Sequence, residues 1–229
     1  MGFVIPPPPQ PAVLIAASRD SFPVRRIWCV GRNYAAHARE MGGDPNREPP
    51  FFFAKPSDAV VMTESTLPYP PATENLHHEV ELVVALKAGG TDLSPEAALD
   101  CVFGYAAGID LTRRDLQEQA KKAGRPWEIG KGFDASAPIG LIHPVSETGH
   151  PASGAIRLMV NGQLRQSGDL SDMIWSVGDV LAHLSKLVRL EAGDLIYTGT
   201  PEGVGPLHPG DVVNGEIEGV GSLKITIGS

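Results

Sequence analysis

An α+β protein built on mixed or rolled sheets is what this sequence predicts, and three observations lead there. Short apolar, β-branched runs recur between Gly/Pro-rich turns, and only a few stretches carry helical periodicity. The regular strand–helix alternation of a doubly wound sheet is absent. The chain has 229 residues, 42% hydrophobic and 20% charged, which suits one large globular domain with a substantial core.

Residues 1–24 are Pro-rich and lightly charged, an extended arm that precedes a catalytic domain over 25–229. This start has no basic n-region, and four consecutive prolines fall where an h-region would begin, so a secretory signal is not expected. RRIWCVGRNY reads as a strand over Ile27–Val30 ending at Gly31, and NYAAHAREMGG as a short helix stopped by Gly42 and Gly43. FFFAK is a short strand between prolines. NLHHEVELVVAL is a strand, and SPEAALD a helix with Ser94 at its N-cap and Pro95 at N1. Phe103–Leu111 reads as strand, LTRRDLQEQAKKAG as a polar helix, and RPWEIGKGFDASAPIGLIHP as loop and strand. Residues 155–168 form a hairpin around Asn161-Gly162. The segment 173–190 is an amphipathic helix with Val180, Leu181, Leu184, Leu187 and Val188 on its apolar face. From Asp194 the chain is Gly-rich and strand-like.

Composition excludes several function classes. The net charge is −8 and no Lys/Arg stripe is interleaved with aromatics, so nucleic acid is not the expected partner. No apolar run reaches the ~20 residues of a membrane helix. Cys29 and Cys101 show no metal or redox spacing and read as small core residues of a reducing cytoplasm. VGRNY lacks GxGxxG, TGTPEGVGP lacks the P-loop Lys-Ser/Thr pair, and GxSxG is absent, which removes nucleotide binding and the nucleophile-elbow hydrolases.

The informative stretch is HHEVELVV. In a strand Glu79 and Glu81 share a face with His77, while Val80, Leu82 and Val84 take the other and enter the core. Two close carboxylates repel, and burial raises the cost. Three resolutions exist: the face is open to water, one carboxyl stays protonated, or a cation sits between them. Asp110, at the end of GYAAGID, is a further carboxylate at a strand end. An all-carboxylate set suits a hard cation such as Mg2+ or Mn2+ rather than zinc.

Five blocks, VGRNYAAHAREMG, HHEVEL, GIDLTRRDLQ, KGFD and YTGTPEGVGP, occur in an order that resembles the fumarylacetoacetate hydrolase family from about Arg25 onward. The nearest likeness is to the bacterial fumarylpyruvate and acylpyruvate hydrolases. The resemblance implies a mixed β-roll with a few peripheral helices, a homodimer, and a divalent metal on Glu79, Glu81 and Asp110. It also carries a lid dyad onto His37 and Glu40, which stand i,i+3 and so share a helix face, with His37 as the base. It places Lys131 in the site, where it would stabilise enolate charge, and makes Thr200 a substrate contact. Arg114 and Gln117, one turn apart, are positioned to face substrate, with Arg113 turned to solvent or to a neighbour. Arg32 either reaches into the site or fixes its loop. For a second substrate carboxylate Arg25, Arg26 and Arg32 are the candidates.

The expected activity is metal-dependent hydrolysis of an acylpyruvate C–C bond, with 3-fumarylpyruvate giving fumarate and pyruvate in aromatic catabolism. The alternatives are an oxaloacetate decarboxylase, an oxo-acid isomerase or hydratase, and a non-catalytic metal-stabilised binding protein.

Overall fold

The computed structural model describes residues 2–35 and 49–229. It is α+β, mostly strands with a curled sheet and few helices. The main sheet has eight strands, running Phe51–Lys55, Arg26–Gly31, Asp194–Tyr197, Val80–Leu86, Val102–Ile109, Ala137–Ile139 and Val60–Met62, with His143–Pro144 attached beside Val102–Ile109. Its pairings are mixed: Asp194–Tyr197 runs parallel to Arg26–Gly31 but antiparallel to Val80–Leu86. A five-stranded sheet contains the hairpin Ala155–Val160 and Gln163–Asp169, then Val212–Ile217, Gly221–Ile227 and Ser65–Leu67.

The central strand Val80–Leu86 is buried throughout because both faces are covered. Val80, Leu82, Val84 and Leu86 pack into one core together with the five-stranded sheet and the helix Val177–Leu187. Val83 and Ala85 enter a second core with Ile27, Cys29, Phe53 and Tyr197. Period-two alternation therefore divides one strand between two cores.

The N-terminal segment contributes to that second core. Ala12–Leu14 and Ser21–Pro23 pair antiparallel, and Val13, Phe22 and Val24 are buried there. The proline run before them is exposed.

Most local signals act as their chemistry predicts. Ser94 caps the helix Pro95–Asp100 by accepting from Ala97 N. Asn161 and Gly162 have φ of 51° and 77°, the left-handed pair of a tight hairpin turn. Ser176 and Asp179 form a reciprocal capping box on Val177–Leu187. Leu187 departs from its expected place: it is the last residue of the helix and is 69% exposed, while Leu184 in the same turn is buried. Among the described residues no helix is long and apolar enough to cross a membrane.

Candidate active site

The expected strand over 75–86 is interrupted. Leu76–His78 belongs to a small sheet with Thr112–Arg113 and Gly205–Leu207, Glu79 sits at the break, and Val80–Leu86 enters the main sheet. The break places Glu79 and Glu81 at one end of the main sheet. Antiparallel pairing of Val80–Leu86 with Val102–Ile109 delivers Asp110 to the same end, and Asp110 N donates to Glu79 O at 2.8 Å. The parallel strands Arg26–Gly31 and Asp194–Tyr197 end there too, bringing in Arg32 and the Thr198-Gly199-Thr200 turn.

Glu79, Glu81 and Asp110 are all buried, and one carboxylate oxygen from each lies within 4.8 Å of the other two. Of the three resolutions, an open face is thereby removed. Lys131 Nζ donates to Glu79 Oε2 at 2.7 Å, Asp110 Oδ2 at 2.6 Å and Thr112 Oγ1 at 2.7 Å. Burial disfavours its ammonium, but Asp110 and Glu79 outweigh that and hold its pKa above the ordinary lysine value. Lys131 ends a short helix, Glu128–Lys131, rather than sitting in a loop. Arg114 donates to Glu79 Oε1 and to Gln117 Oε1, so the two helix residues face the site together.

Glu81 differs from its neighbours. Its hydrogen bond is from Gly199 N at 2.8 Å, and no lysine or arginine touches it among the described residues. Burial first, then the charges of Asp110 and Glu79, push its pKa well above the ordinary value. Gly199 supplies that N–H from φ +98°, and a Cβ there would stand 2.7 Å from Asn33 Cβ. Glycine is therefore required on both counts. The donor set fits a hard divalent cation: three carboxylates, with Glu81 in contact with no lysine or arginine among the described residues.

Glu79, Glu81, Arg114, Gln117 and Lys131 line a cleft with Arg32, Phe53, Trp127 and Thr200, while Asp110 is fully buried beside them. Arg32 has φ +60°, a strained conformation for arginine, and its guanidinium lies over the Phe51 ring. His37 and Glu40 lie outside the described residues.

Some sequence expectations need correction. Arg25 and Arg26 do not line the cleft: each meets the buried Asp194 at 3.0 Å, and Arg25 also pairs with Glu191. Arg113, by contrast, meets a neighbour, one of its two expected placements, with its guanidinium 4.4 Å from the Phe133 ring centroid. Sequence reasoning also missed Lys55, which is buried and lies 2.8 Å from Asp110 Oδ1. That ion contact is not oriented as a hydrogen bond; the ammonium instead donates to Leu111 O and Lys131 O. The available signal was alternation, since in FFFAK a lysine shares its face with two phenylalanines.

Fold and site define a class: an α+β protein whose curled sheet holds a buried carboxylate triad at the floor of a basic-walled cleft. Residues 26–228 match the sequence family described as fumarylacetoacetate (FAA) hydrolase C-terminal, and the chain belongs to that family. Among its relatives is the mitochondrial oxaloacetate tautomerase FAHD1 of Bos taurus, 43% identical over 220 residues, 93% of this chain and 98% of that protein. Another is a fumarylpyruvate hydrolase of Ralstonia sp., 43% identical over 185 residues, 81% of this chain and 96% of that protein. The crystal structure of fumarylpyruvate hydrolase from Pseudomonas aeruginosa in complex with Mn2+ and pyruvate matches with TM-score 0.97 at 50% identity, covering 99% of both chains.

Proposed function

We propose that this chain is a divalent-metal-dependent hydrolase of carbon–carbon bonds that cleaves an acylpyruvate, with 3-fumarylpyruvate as substrate and fumarate and pyruvate as products. The observation that carries the reading is the buried triad Glu79, Glu81 and Asp110, set among Lys131, Arg114 and Thr200 in one cleft. The P. aeruginosa fumarylpyruvate hydrolase, which binds Mn2+ and pyruvate, supports it.

Glu79, Glu81 and Asp110 would hold Mg2+ or Mn2+. When bound, the ion supplies Lewis acidity to the 2-oxo acid end of the substrate. Thr200, Gln117 and Arg114 orient that end. His37, the base carried over by the family resemblance with Glu40 as its orienting partner, would take a proton from the water that attacks the distal C4 carbonyl, its imidazole being neutral before that step. The C3–C4 bond then breaks, its electron pair stays on C3 as the pyruvate enolate, and a proton restores the methyl group. The Lys131 ammonium, whose three donors go to Glu79, Asp110 and Thr112, would stabilise that developing negative charge through its own charge. Arg32 contacts the acyl end. The working unit is a homodimer in the cytoplasm.

A second reading has one specific observation behind it, the 43% identity to the FAHD1 oxaloacetate tautomerase. Keto–enol exchange needs the same oxo-acid grip and enolate stabilisation but no attacking water. Product mass separates the two. Metal-loaded protein incubated with fumarylpyruvate releases fumarate and pyruvate under the hydrolase reading, and Glu79→Ala and His37→Ala abolish the release. Oxaloacetate interconversion without mass change, indifferent to His37→Ala and with fumarylpyruvate left intact, would replace it with the tautomerase reading.

A further inference from the structure

Gln166 has no part in the chemistry above, yet it is fully buried in a strand whose adjacent residues Arg165 and Ser167 are exposed. A buried amide is costly unless its polar atoms are paired, and here they all are. Its Oε1 lies 3.0 Å from Val80 N and 3.0 Å from His78 Nδ1. Its Nε2 lies 2.8 Å from Thr200 Oγ1 and 2.9 Å from Pro201 O. Two of these contacts fix which end of the amide is which. A backbone N–H only donates, so the atom beside Val80 N is the carbonyl oxygen. A backbone carbonyl only accepts, so the atom beside Pro201 O is the NH2 group.

The orientation has a consequence for the neighbouring hydroxyl. Thr200 Oγ1 must accept from Gln166, so its single proton has to point elsewhere. Among the described residues no other group receives that proton, and Thr200 lines the cleft beside Glu79, Glu81 and Arg114. We propose that Gln166 is a positioning residue that sets the polarity of Thr200, turning its hydroxyl into a donor aimed at the carboxylate of an oxo-acid substrate. An ionised carboxylate only accepts, so a hydroxyl held as a donor fits it and one held as an acceptor repels it. The same amide links the backbone of Val80, next to Glu79, with the turn that carries Thr200. It therefore ties the substrate grip to the carboxylate strand. The inference rests on the reading that Thr200 touches substrate.

The test is a double-mutant cycle on metal-loaded protein, with the dissociation constant of pyruvate and the KM and kcat for fumarylpyruvate as readouts. Thr200→Val removes the donor and raises both the pyruvate Kd and KM about 10–100-fold, with kcat nearly unchanged. Gln166→Glu offers the hydroxyl an acceptor, so the Thr200 proton turns away from the cleft and the same constants rise by a comparable factor. In the Thr200→Val background Gln166→Glu adds nothing further, because the group it acts through is gone. Gln166→Met, which removes the amide without adding charge, repeats the cycle should the glutamate variant not fold. Multiplicative effects in the double variant, or no effect of either Gln166 substitution on pyruvate binding, overturn the inference while leaving Thr200 as a contact. Unchanged pyruvate binding in Thr200→Val overturns the contact itself, and the inference with it.

Discussion

Replacing Glu81 with glutamine separates stability from function. Glu81 is buried, and its carboxylate lies within 4.8 Å of oxygens of Glu79 and Asp110. At an effective dielectric constant of ~20, each neighbour at that distance repels it by about 3.5 kcal/mol. The Lys131 ammonium offsets roughly one of the two, and solvent reaching the open cleft screens part of the rest, leaving a net cost of about 1–3 kcal/mol. Glutamine keeps an oxygen for the Gly199 N–H and removes the charge. In chelator-treated protein Glu81→Gln is therefore more stable than the parent, with Tm higher by about 2–12 °C. The gain holds at neutral pH, shrinks as pH falls from the raised folded value toward the ordinary carboxylate value of 4.5, and is absent below it, where the parent's carboxyl is protonated in folded and unfolded chains alike. Added Mn2+ at ~100 times its dissociation constant stabilises the parent by about 2.7 kcal/mol and the variant by nothing measurable. Thermal unfolding with and without chelator reads both effects. A variant less stable than the parent without metal would refute the reasoning, because Glu81 would then have a favourable partner.

Other consequences can be measured in the same way. Lys55→Met strips the contact from Asp110 Oδ1 and two carbonyls of their donor, and costs about 3–5 kcal/mol in urea unfolding. Leu184→Ala costs about 2–5 kcal/mol, whereas Leu187→Ala, on the same helix but exposed, changes stability by less than about 0.5 kcal/mol. Arg26→Ala leaves the KM for fumarylpyruvate unchanged, because its guanidinium is committed to Asp194. Asp115 is partly buried, which raises its pKa, but hydrogen bonds from Thr73 Oγ1 and Glu74 N outweigh this and lower it. Its contribution to stability is present above the ordinary carboxylate range and lost as pH falls through the lowered value. Asp115→Asn accordingly flattens the acid limb of the stability curve.

Local chemistry made much of this architecture legible in the sequence. Ser94, Asn161-Gly162 and the apolar spacing of Val180, Leu181 and Leu184 each act through neighbours a few residues away, and each performs in the structure as its residue type dictates. Glu79 and Glu81 raised the question because two carboxylates stand in an apolar strand, but the pattern left an open face equally possible, and only the family resemblance joined them with Asp110 as one metal site. What was hidden depends on contacts between distant segments. Lys55 looks like any lysine before a proline until Phe51–Lys55 pairs with Arg26–Gly31 and turns it toward Asp110. Gln166 looks like a surface residue of a hairpin until the five-stranded sheet packs it against Val80 and Thr200. Arg25 and Arg26 were misplaced because Asp194, their partner, is far away in sequence. The break at Glu79 was hidden because the backbone is extended on both sides of it, so the two strands read as one.

The central claim is that three buried carboxylates form one divalent-metal site on which turnover depends. Chelator-treated protein titrated with Mn2+, with free ion followed by electron paramagnetic resonance, tests it most directly. The account predicts one tightly held ion per chain, lost in Glu81→Gln and Asp110→Asn, with fumarylpyruvate hydrolysis rising in proportion to occupancy. Undiminished Mn2+ binding in both variants, or full hydrolysis by the metal-free parent, would contradict it.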